Sequence, residues 1–242
     1  MSERELVLIC AHRGASAAHP DNTISAFEGA RAEGADWVEL DVRITCDGAL
    51  VVSHDASYAD GRGVWATPGE DRPDGVLLLH TALDACAGMG VNVEIKNSPG
   101  DLGAVDGVPV ARNLAVCEAV VALLAARTDG QEIVISSFDE DTLKRVRSLE
   151  PSFDTAYLVF DLLGDPGLPD RAAAAGDVAV NPWDPLVDGA FVRRCDALGL
   201  LVNSWTVDDP DRICELARMG VHSIITNQPA NARAALVAAG LL

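Results

Sequence analysis

The sequence is poor in several features, and each scarcity excludes a class of protein. Aromatic residues make up 5% of the 242 residues, and the six cysteines are scattered with no C-x-x-C pair, so neither a disulfide framework nor a zinc site is predicted. No run approaches the roughly 20 apolar residues of a membrane span, and the N-terminal segment lacks the apolar core of a signal peptide. We expect a cytoplasmic protein with reduced thiols and no stable membrane association.

Basic residues are also scarce. The 18 Lys and Arg residues stand against 37 Asp and Glu residues, which leaves a formal net charge of −19. A field of this sign repels nucleic acid and anionic membrane surfaces. The charge therefore argues against a nucleic-acid partner, and an anionic small-molecule substrate requires a local positive site.

Apolar residues are abundant, at 49% of the chain, and they follow an alternating pattern of two kinds of segment. Short β-branched runs predict eight strands: Leu6–Ala11, Trp37–Val42, Val91–Ile95, Ile133–Ser136, Thr155–Phe160, Val178–Val180, Leu201–Ser204 and Ser223–Thr226. Segments with helical periodicity lie between them: Thr23–Glu33, Thr81–Gly88, Ala111–Arg127, Asp139–Leu149, Asp170–Ala175, Pro185–Leu198, Asp208–Met219 and Ala230–Ala239.

About eight strand–helix units favour an α/β fold closed as a TIM (β/α)8 barrel, with residues 1–242 as a single domain. An open doubly wound sheet is the alternative, but no strand is followed by the G-x-G-x-x-G of a dinucleotide site. Asp139 and Asp208 are the expected N-caps of their helices. Gly and Pro break the pattern at Ser57–Gly75, an expected loop excursion over the barrel mouth, and again at Ser98–Pro109.

Carboxylates gather where the early strands end, which is where a TIM barrel builds its active site. Glu39 and Asp41 share one face of their strand, and Glu94 and Lys96 share one face of the next. Three carboxylates in a poorly solvated mouth repel one another unless a cation lies among them, and oxygen ligands favour Mg²⁺ or Ca²⁺. The alternative is that Lys96 and Arg13 neutralise the carboxylates as buried ion pairs without metal.

Two histidines also lie at strand ends, each beside a charged residue. His12 follows the first strand, and His54 follows a short run at residues 49–52. Since histidine titrates near neutrality, the pair can act as general acid and base. Arg13 and Lys96 supply the positive charge that holds a phosphate, so the set is typical of a phosphodiesterase. The remaining histidines lack such neighbours, and two of them are expected to be structural: His80 and His222.

The motifs that carry these residues resemble the glycerophosphodiester phosphodiesterase family, in order and over almost the whole chain. They are His12-Arg13-Gly14 with Pro20-Asp21-Asn22-Thr23, Gly34 to Val42, Asp47-Gly48 with Val51 to Asp55, Asn92 to Lys96, Ser204 to Asp208, and Gly220 to Pro229. The resemblance implies a TIM barrel that hydrolyses glycerophosphodiesters to an alcohol and sn-glycerol 3-phosphate with a divalent cation. It leaves open whether a glycerol hydroxyl attacks through a cyclic phosphate or water attacks directly.

Roles are implied by matching position. His12 and His54 are the implied general acid and base. The implied metal ligands are Glu39, Asp41 and Glu94, and the implied phosphate-binding residues are Arg13 and Lys96. Trp205 follows the seventh strand, where the family's aromatic residue packs on the glycerol carbons, and Phe138 is a lesser candidate for the same contact.

The sequence departs from the family pattern at three places. Asp21 stands where Glu is usual, Asn227 stands where Asp is usual, and the segment after Asp55 lacks the usual pattern. None of these positions belongs to the implied catalytic set, which is therefore complete, whereas the rim of the site is atypical.

Three other functions compete with the main prediction. They are a lysophospholipase D, a non-catalytic barrel that binds phosphorylated ligands, and a metal-independent sugar-phosphate isomerase.

Overall fold

The structure is a computed structural model that describes residues 6–96, 110–161 and 167–242. Its nine described strands are β1 (Leu8–His12), β2 (Trp37–Ile44), β3 (Leu50–Val52), β4 (Gly90–Ile95), β5 (Ile133–Ser137), β6 (Asp154–Val159), β7 (Ala179–Pro182), β8 (Leu201–Ser204) and β9 (Ser223–Thr226). Its eight described helices are α1 (Ile24–Ala32), α2 (Leu79–Ala85), α3 (Val110–Ala125), α4 (Glu140–Leu149), α5 (Leu168–Ala175), α6 (Gly189–Ala197), α7 (Pro210–Met219) and α8 (Pro229–Ala238).

The strands close into a barrel. Their order is β1-β9-β8-β7-β6-β5-β4-β2, and β1 pairs with β2 to complete the ring. All eight pairings around the ring are parallel, whereas β3 lies outside it and pairs antiparallel with β2 as a hairpin. The prediction of a TIM barrel is confirmed, and the carboxyl ends of all ring strands meet at one mouth.

The alternation along each ring strand separates two layers of side chains. Leu40 and Val42 of β2 point outward and are buried against the helices, as are Val91 and Val93 of β4. The intervening residues point into the barrel, where the lower end is filled in part by the Trp37 ring. A Cβ at Gly90 would lie 2.3 Å from that ring, so only glycine fits beside it.

The predicted N-cap of helix α7, Asp208, is wrong by one residue. Asp209, not Asp208, is its N-cap and accepts from the backbone N–H of Arg212 at 2.8 Å. The Asp208 carboxylate instead accepts hydrogen bonds from donors at the end of β9, including the hydroxyl of Thr226 at 2.8 Å. The cap at Asp139 is confirmed, since its side chain accepts from the N–H of Thr142.

A second correction concerns the helix predicted over Pro185–Leu198. The chain forms a short 3-10 helix at Asp184–Leu186, and α6 begins only at Gly189. The break occurs because Asp188 is an N-cap, with its carboxylate accepting from the backbone N–H groups of Ala190 and Phe191. A capping side chain starts a new helix and cannot continue the preceding one.

The segment Ser57–Gly75 is an excursion, as predicted, but its described contacts are with the β2–β3 hairpin. It contains two 3-10 helices, Val64–Ala66 and Gly69–Asp71. Buried Val64 packs with Val51 of β3, and the Gly69 N–H donates to Asp47 at 2.9 Å. The second predicted loop, Ser98–Pro109, lies outside the described residues.

Five cysteines are buried, as expected of packed thiols, and Cys46 is exposed. Within the described ranges no helix is both long and apolar enough to cross a membrane.

Candidate active site

Three buried carboxylates meet inside the mouth of the barrel. Glu39 and Asp41 project inward from β2, and Glu94 projects inward from β4. The sheet register places Asp41 directly opposite Glu94, because β2 and β4 are adjacent parallel strands. One oxygen from each residue lies within 4.8 Å of the others, so the three sequence-predicted ligands are brought together.

Two cations partly neutralise this acidic cluster. Lys96 Nζ lies 2.6 Å from Glu94 Oε1 and 3.3 Å from Asp41 Oδ1, and Arg13 Nε lies 3.2 Å from Asp41 Oδ2. Burial opposes ionisation of Asp41, but the adjacent Lys96 and Arg13 charges hold its pKa below the usual value. Lys96 thus pairs with both Asp41 and Glu94, and Arg13 pairs with Asp41, whereas the described ion pairs give Glu39 no Lys or Arg partner.

Glu39 is in a different electrostatic position. Its Oε2 accepts from the backbone N–H of Arg13 at 3.0 Å, whereas its buried Oε1 has no hydrogen-bond partner among the described residues. Burial, followed by repulsion from Asp41 and Glu94, raises the pKa of Glu39 well above its usual value. An unpartnered buried carboxylate oxygen beside two other carboxylates fits a bound cation that supplies the missing charge.

The loop after β1 is shaped to bring Arg13 to the cluster. Arg13 adopts a left-handed backbone with φ 55°, which turns its N–H toward Glu39 and its guanidinium toward Asp41. Gly14 follows with φ 84°, and a Cβ there would lie 2.6 Å from the backbone of Ala26. Only glycine allows α1 to approach this closely, so the His12-Arg13-Gly14 motif has a steric basis.

His12 ends β1 with its ring between two polar partners. Nδ1 lies 2.7 Å from Oδ1 of Asn227, and Nε2 lies 3.9 Å from Oε2 of Glu39. Burial and the adjacent Arg13 charge lower the pKa of His12, because both penalise the imidazolium form. The ring is therefore neutral at neutral pH, with its Nε2 edge toward the carboxylates.

His54 follows β3 on the hairpin. Its Nδ1 lies 2.8 Å from Oδ1 of Asp55, and its side chain is 29% exposed. The backbone carbonyl of His54 accepts from Arg43 at 2.6 and 3.0 Å. Arg43 also donates to the carbonyl of Lys96 at 3.1 Å, so one buried guanidinium joins the hairpin to the end of β4.

Sequence reasoning missed Arg43 and Asn22 as site residues. Arg43 continues the inward alternation of Glu39 and Asp41 along β2, so the period of two contained its signal. Asn22, in the left-handed region at φ 58°, donates to Asp41 Oδ2 at 2.8 Å. Its signal was weaker, because it lies on a loop 19 residues from its partner.

Aromatic side chains line the other half of the mouth. Phe138 meets Trp205 edge to face at 5.6 Å between centroids, and Lys96 Nζ lies 5.7 Å from the Phe138 centroid. Trp205 donates from Nε1 to the carbonyl of Asn181 at 2.6 Å, which holds its ring in place. The ring centroids of Phe160 and Trp205 lie 6.3 Å apart. Phe138 thus lies beside Lys96 at the mouth, and Trp205 lies against Phe138.

Three other residues discussed in the sequence analysis, Asp21, His80 and His222, do not belong to the acidic cluster. Asp21 pairs with Arg13 at 3.2 Å from a half-exposed position on the rim. His80 is exposed on α2. His222 lies at the opposite end of the barrel, where it lines a cavity of about 350 Å³. A second cavity, of about 510 Å³, opens at the mouth beside His12 and Asn227.

Comparison with known proteins finds a family model along most of the chain. Residues 12–231 match the Glycerophosphoryl diester phosphodiesterase family. A relative from Mycobacterium tuberculosis, named probable glycerophosphodiester phosphodiesterase 1, is 31% identical over 93% of this chain and 91% of its own length.

Solved structures of this kind share the barrel. A putative glycerophosphoryl diester phosphodiesterase from Silicibacter pomeroyi is 27% identical, with a TM-score of 0.86 over 97% of this chain and 94% of its own. A phosphodiesterase from Oleispira antarctica, solved with the product sn-glycerol-3-phosphate, has a TM-score of 0.84 at 23% identity over 96% and 97% of the two chains. The fold of the chain is therefore the one found in these solved structures.

Proposed function

The chain belongs to the glycerophosphoryl diester phosphodiesterase family and is a phosphodiester hydrolase, and we propose that it cleaves glycerophosphodiesters with a divalent cation and two histidines. The products are an alcohol and sn-glycerol 3-phosphate. One observation carries the proposal. Glu39, Asp41 and Glu94 converge within 4.8 Å at the end of the barrel where such folds do chemistry.

Glu39, Asp41 and Glu94 would hold the cation. The donor set consists only of carboxylate oxygens, which suits Mg²⁺ or Ca²⁺, and the orphaned Oε1 of Glu39 supports the fit. When bound, such an ion polarises a phosphoryl oxygen and stabilises the charge that develops during phosphoryl transfer. Phosphate binding, proton transfer and contact with the glycerol carbons are assigned to side chains of the protein.

Arg13 and Lys96 are the proposed phosphate-binding residues. Both point into the mouth beside the carboxylates, and both are held there by ion pairs to Asp41. Their positive charge offsets the long-range repulsion that a protein of net charge −19 exerts on an anionic diester. Arg13 provides a planar donor group and Lys96 a point charge, so together they contact more than one phosphoryl oxygen.

His12 and His54 are the proposed base and acid. Burial lowers the pKa of His12, so its ring is neutral and able to take a proton from the attacking hydroxyl. His54, oriented by Asp55 at 2.8 Å, gives a proton to the oxygen of the leaving alcohol. With water as the nucleophile, these two proton transfers give glycerol 3-phosphate directly. With a glycerol hydroxyl as the nucleophile they give a cyclic phosphate, which water then opens with the roles reversed: His54 takes a proton from the water and His12 returns its proton to the glycerol oxygen that leaves.

Trp205 is the proposed contact for the glycerol carbons. Its indole N–H is already bonded to Asn181, so the ring presents an apolar face with its polar atom satisfied. Phe138 supports this ring at 5.6 Å and links it to Lys96. An apolar face beside a phosphate-binding lysine suits a substrate with carbon and phosphate portions.

Release of glycerol 3-phosphate from glycerophosphocholine and glycerophosphoethanolamine tests the proposal. Purified protein is stripped with EDTA and assayed without metal, with Mg²⁺ and with Ca²⁺. We expect release only when one of the cations is added back. The matched control is His80→Ala, since His80 is an exposed histidine on α2, and this variant should keep the wild-type rate.

Two results would contradict the proposal. Equal release with and without metal would remove the cation from the reaction. A folded protein that binds the cation, shown by a rise in melting temperature, but releases no product would point to a binding-only barrel.

A further inference from the structure

Asn227 directly follows β9 and has an amide group whose orientation is determined by its neighbours. The amide nitrogen Nδ2 lies 2.7 Å from Oδ2 of Asp208. The other oxygen of Asp208 accepts from the backbone N–H of Asn227 at 2.8 Å and from the hydroxyl of Thr226 at 2.8 Å. Because carboxylate oxygens only accept hydrogen bonds, the amide atom that faces Asp208 is the NH₂ nitrogen.

The opposite atom of the amide therefore faces His12. Asn227 Oδ1 lies 2.7 Å from His12 Nδ1 and 2.9 Å from the hydroxyl of Ser16. An amide oxygen has no proton to donate, so Nδ1 of His12 donates and the neutral ring carries its proton there. The lone pair of the neutral imidazole is then on Nε2, the nitrogen that points toward Glu39.

We propose that Asp208 and Asn227 are positioning residues that fix His12 in its Nδ1–H tautomer and leave Nε2 free to take a proton. Asn227 alone could present either end of its amide to the ring. Asp208 removes that freedom, because a reversed amide would place two acceptor oxygens 2.7 Å apart. Asn227 is hydrogen-bonded to His12, and Asp208 to Asn227, so we assign both residues to act through His12.

The inference deepens the proposed function and rests on it for the identity of the proton acceptor. The tautomer itself does not depend on activity. It is a property of the resting protein, and the ¹⁵N chemical shifts of the His12 ring report it directly. In the wild type we expect Nδ1 to have the shift of a protonated ring nitrogen and Nε2 the shift of a bare one.

Asp208→Asn tests the role of the carboxylate. The backbone N–H of Asn227 still needs an acceptor, so the new amide keeps its oxygen there and turns its NH₂ group toward the Asn227 side chain. That arrangement favours the reversed Asn227 amide, so we expect His12 to shift toward its Nε2–H tautomer and the two ¹⁵N shifts to move toward each other or to exchange. We expect kcat for glycerophosphocholine to fall about 10- to 100-fold while KM changes little, as for loss of a partner that orients a site residue. Asp209→Asn is the matched control, because Asp209 caps α7 through the N–H of Arg212. It should leave both readouts unchanged.

A double variant tests the orientation logic by exchanging the two residues. In Asp208→Asn with Asn227→Asp, the amide introduced at position 208 keeps an oxygen for Thr226 and the backbone and donates its NH₂ group to the carboxylate introduced at position 227. That carboxylate accepts from His12 Nδ1, so we expect the separated ring shifts and most of kcat to return. A merely structural role predicts no recovery.

Three results would overturn the proposal. One is a protonated Nε2 in the wild type, which needs no variant to detect. Another is an Asp208→Asn protein with unchanged ring shifts and unchanged kcat. The third is a double variant no better than the single one. If the wild type released no glycerol 3-phosphate, the proposed function would fail, while the ring shifts would still decide the tautomer.

Discussion

The two halves of the barrel mouth differ in chemistry. The half formed by β1, β2 and β4 contains buried carboxylates with their ion-paired cations, whereas the half formed by β5 to β8 presents aromatic rings. Phe160 is 57% exposed and Trp183 is 38% exposed, and their rings stack at 5.0 Å. The chain has only four Trp, two Tyr and five Phe residues, so the four aromatic rings at this rim are a large share of all its aromatic side chains.

The difference indicates a division of work. Charged groups in the first half are held rigidly by buried ion pairs and by Arg43, as proton transfer and phosphate binding require. Rings in the second half offer apolar area with little directionality. We therefore expect substitutions in the charged half to reduce the rate of reaction, and substitutions in the aromatic half to weaken substrate binding.

The largest effect is expected from His12→Ala in the charged half. Loss of the proposed base should lower kcat about 100- to 10,000-fold with the fold intact. Steady-state kinetics and circular dichroism measure the two quantities, and His80→Ala on α2 is the control for loss of a histidine. A near-wild-type rate would remove His12 from the mechanism.

Next in size is the effect of Glu94→Gln on stabilisation by metal. At a cation concentration about 100 times Kd, binding adds about 2.7 kcal/mol to the wild-type stability. For a domain of this size that is a rise in Tm of about 5–10 °C. Thermal melts with and without Mg²⁺ or Ca²⁺ should show a smaller rise in the variant. An identical rise in both proteins would refute Glu94 as a ligand.

A smaller effect is expected from pH in the metal-free protein, through Glu39. Because its folded pKa is raised above the ordinary value of 4.5, the neutral form stabilises the fold at low pH. That contribution is lost as pH rises from the ordinary value through the raised one. Asp41, whose pKa is lowered, is already ionised across this window.

Glu39→Gln sharpens the test, since glutamine resembles the neutral carboxyl at every pH. In EDTA, the Tm of the wild type should fall relative to that of the variant as pH rises above about 4.5. Added cation should restore the wild type at the higher pH, because the ionised carboxylate is the form that binds it. A Tm difference that is constant with pH would contradict the raised pKa.

The smallest effects are expected in the aromatic half. Trp205→Ala should raise KM about 5- to 10-fold with little change in kcat, because it removes apolar contact with the substrate. Phe160→Ala, one ring further from Lys96, should raise KM less than about threefold. Measurement of kcat and KM for both variants on glycerophosphocholine checks the order. A loss confined to kcat in Trp205→Ala would break the division between the halves.

Much of this molecule followed from local pattern. Every predicted ring strand has a counterpart, because a short run of β-branched apolar residues is a local property of each strand. The face shared by Glu39 and Asp41, and the face shared by Glu94 and Lys96, followed from the same period of two. The motif order extended these patterns to His12, His54 and Trp205, which the structure places at the mouth.

Local pattern failed where a side chain had a choice of distant partners. Asp208 has the residue type and position of an N-cap, but its carboxylate accepts from Thr226 and Asn227 across 18 and 19 residues. Arg43 was not predicted as a site residue, and its partners are the carbonyls of His54 and Lys96. Neither set of contacts has a signal in the sequence around the residue, because pairing between neighbouring strands creates it.

Residue type and spacing thus determined which groups of this protein are ionisable, which face of a strand they occupy and which strands alternate with helices. The folded barrel decided the rest: that Lys96 and Arg13 both pair with Asp41 while the described ion pairs give Glu39 no Lys or Arg partner, that Asn227 presents its oxygen to His12, and that scarce aromatic rings gather on one rim. The reason is that pKa, tautomer and ion pairing depend on distances between strands, and only closure of the sheet sets those distances.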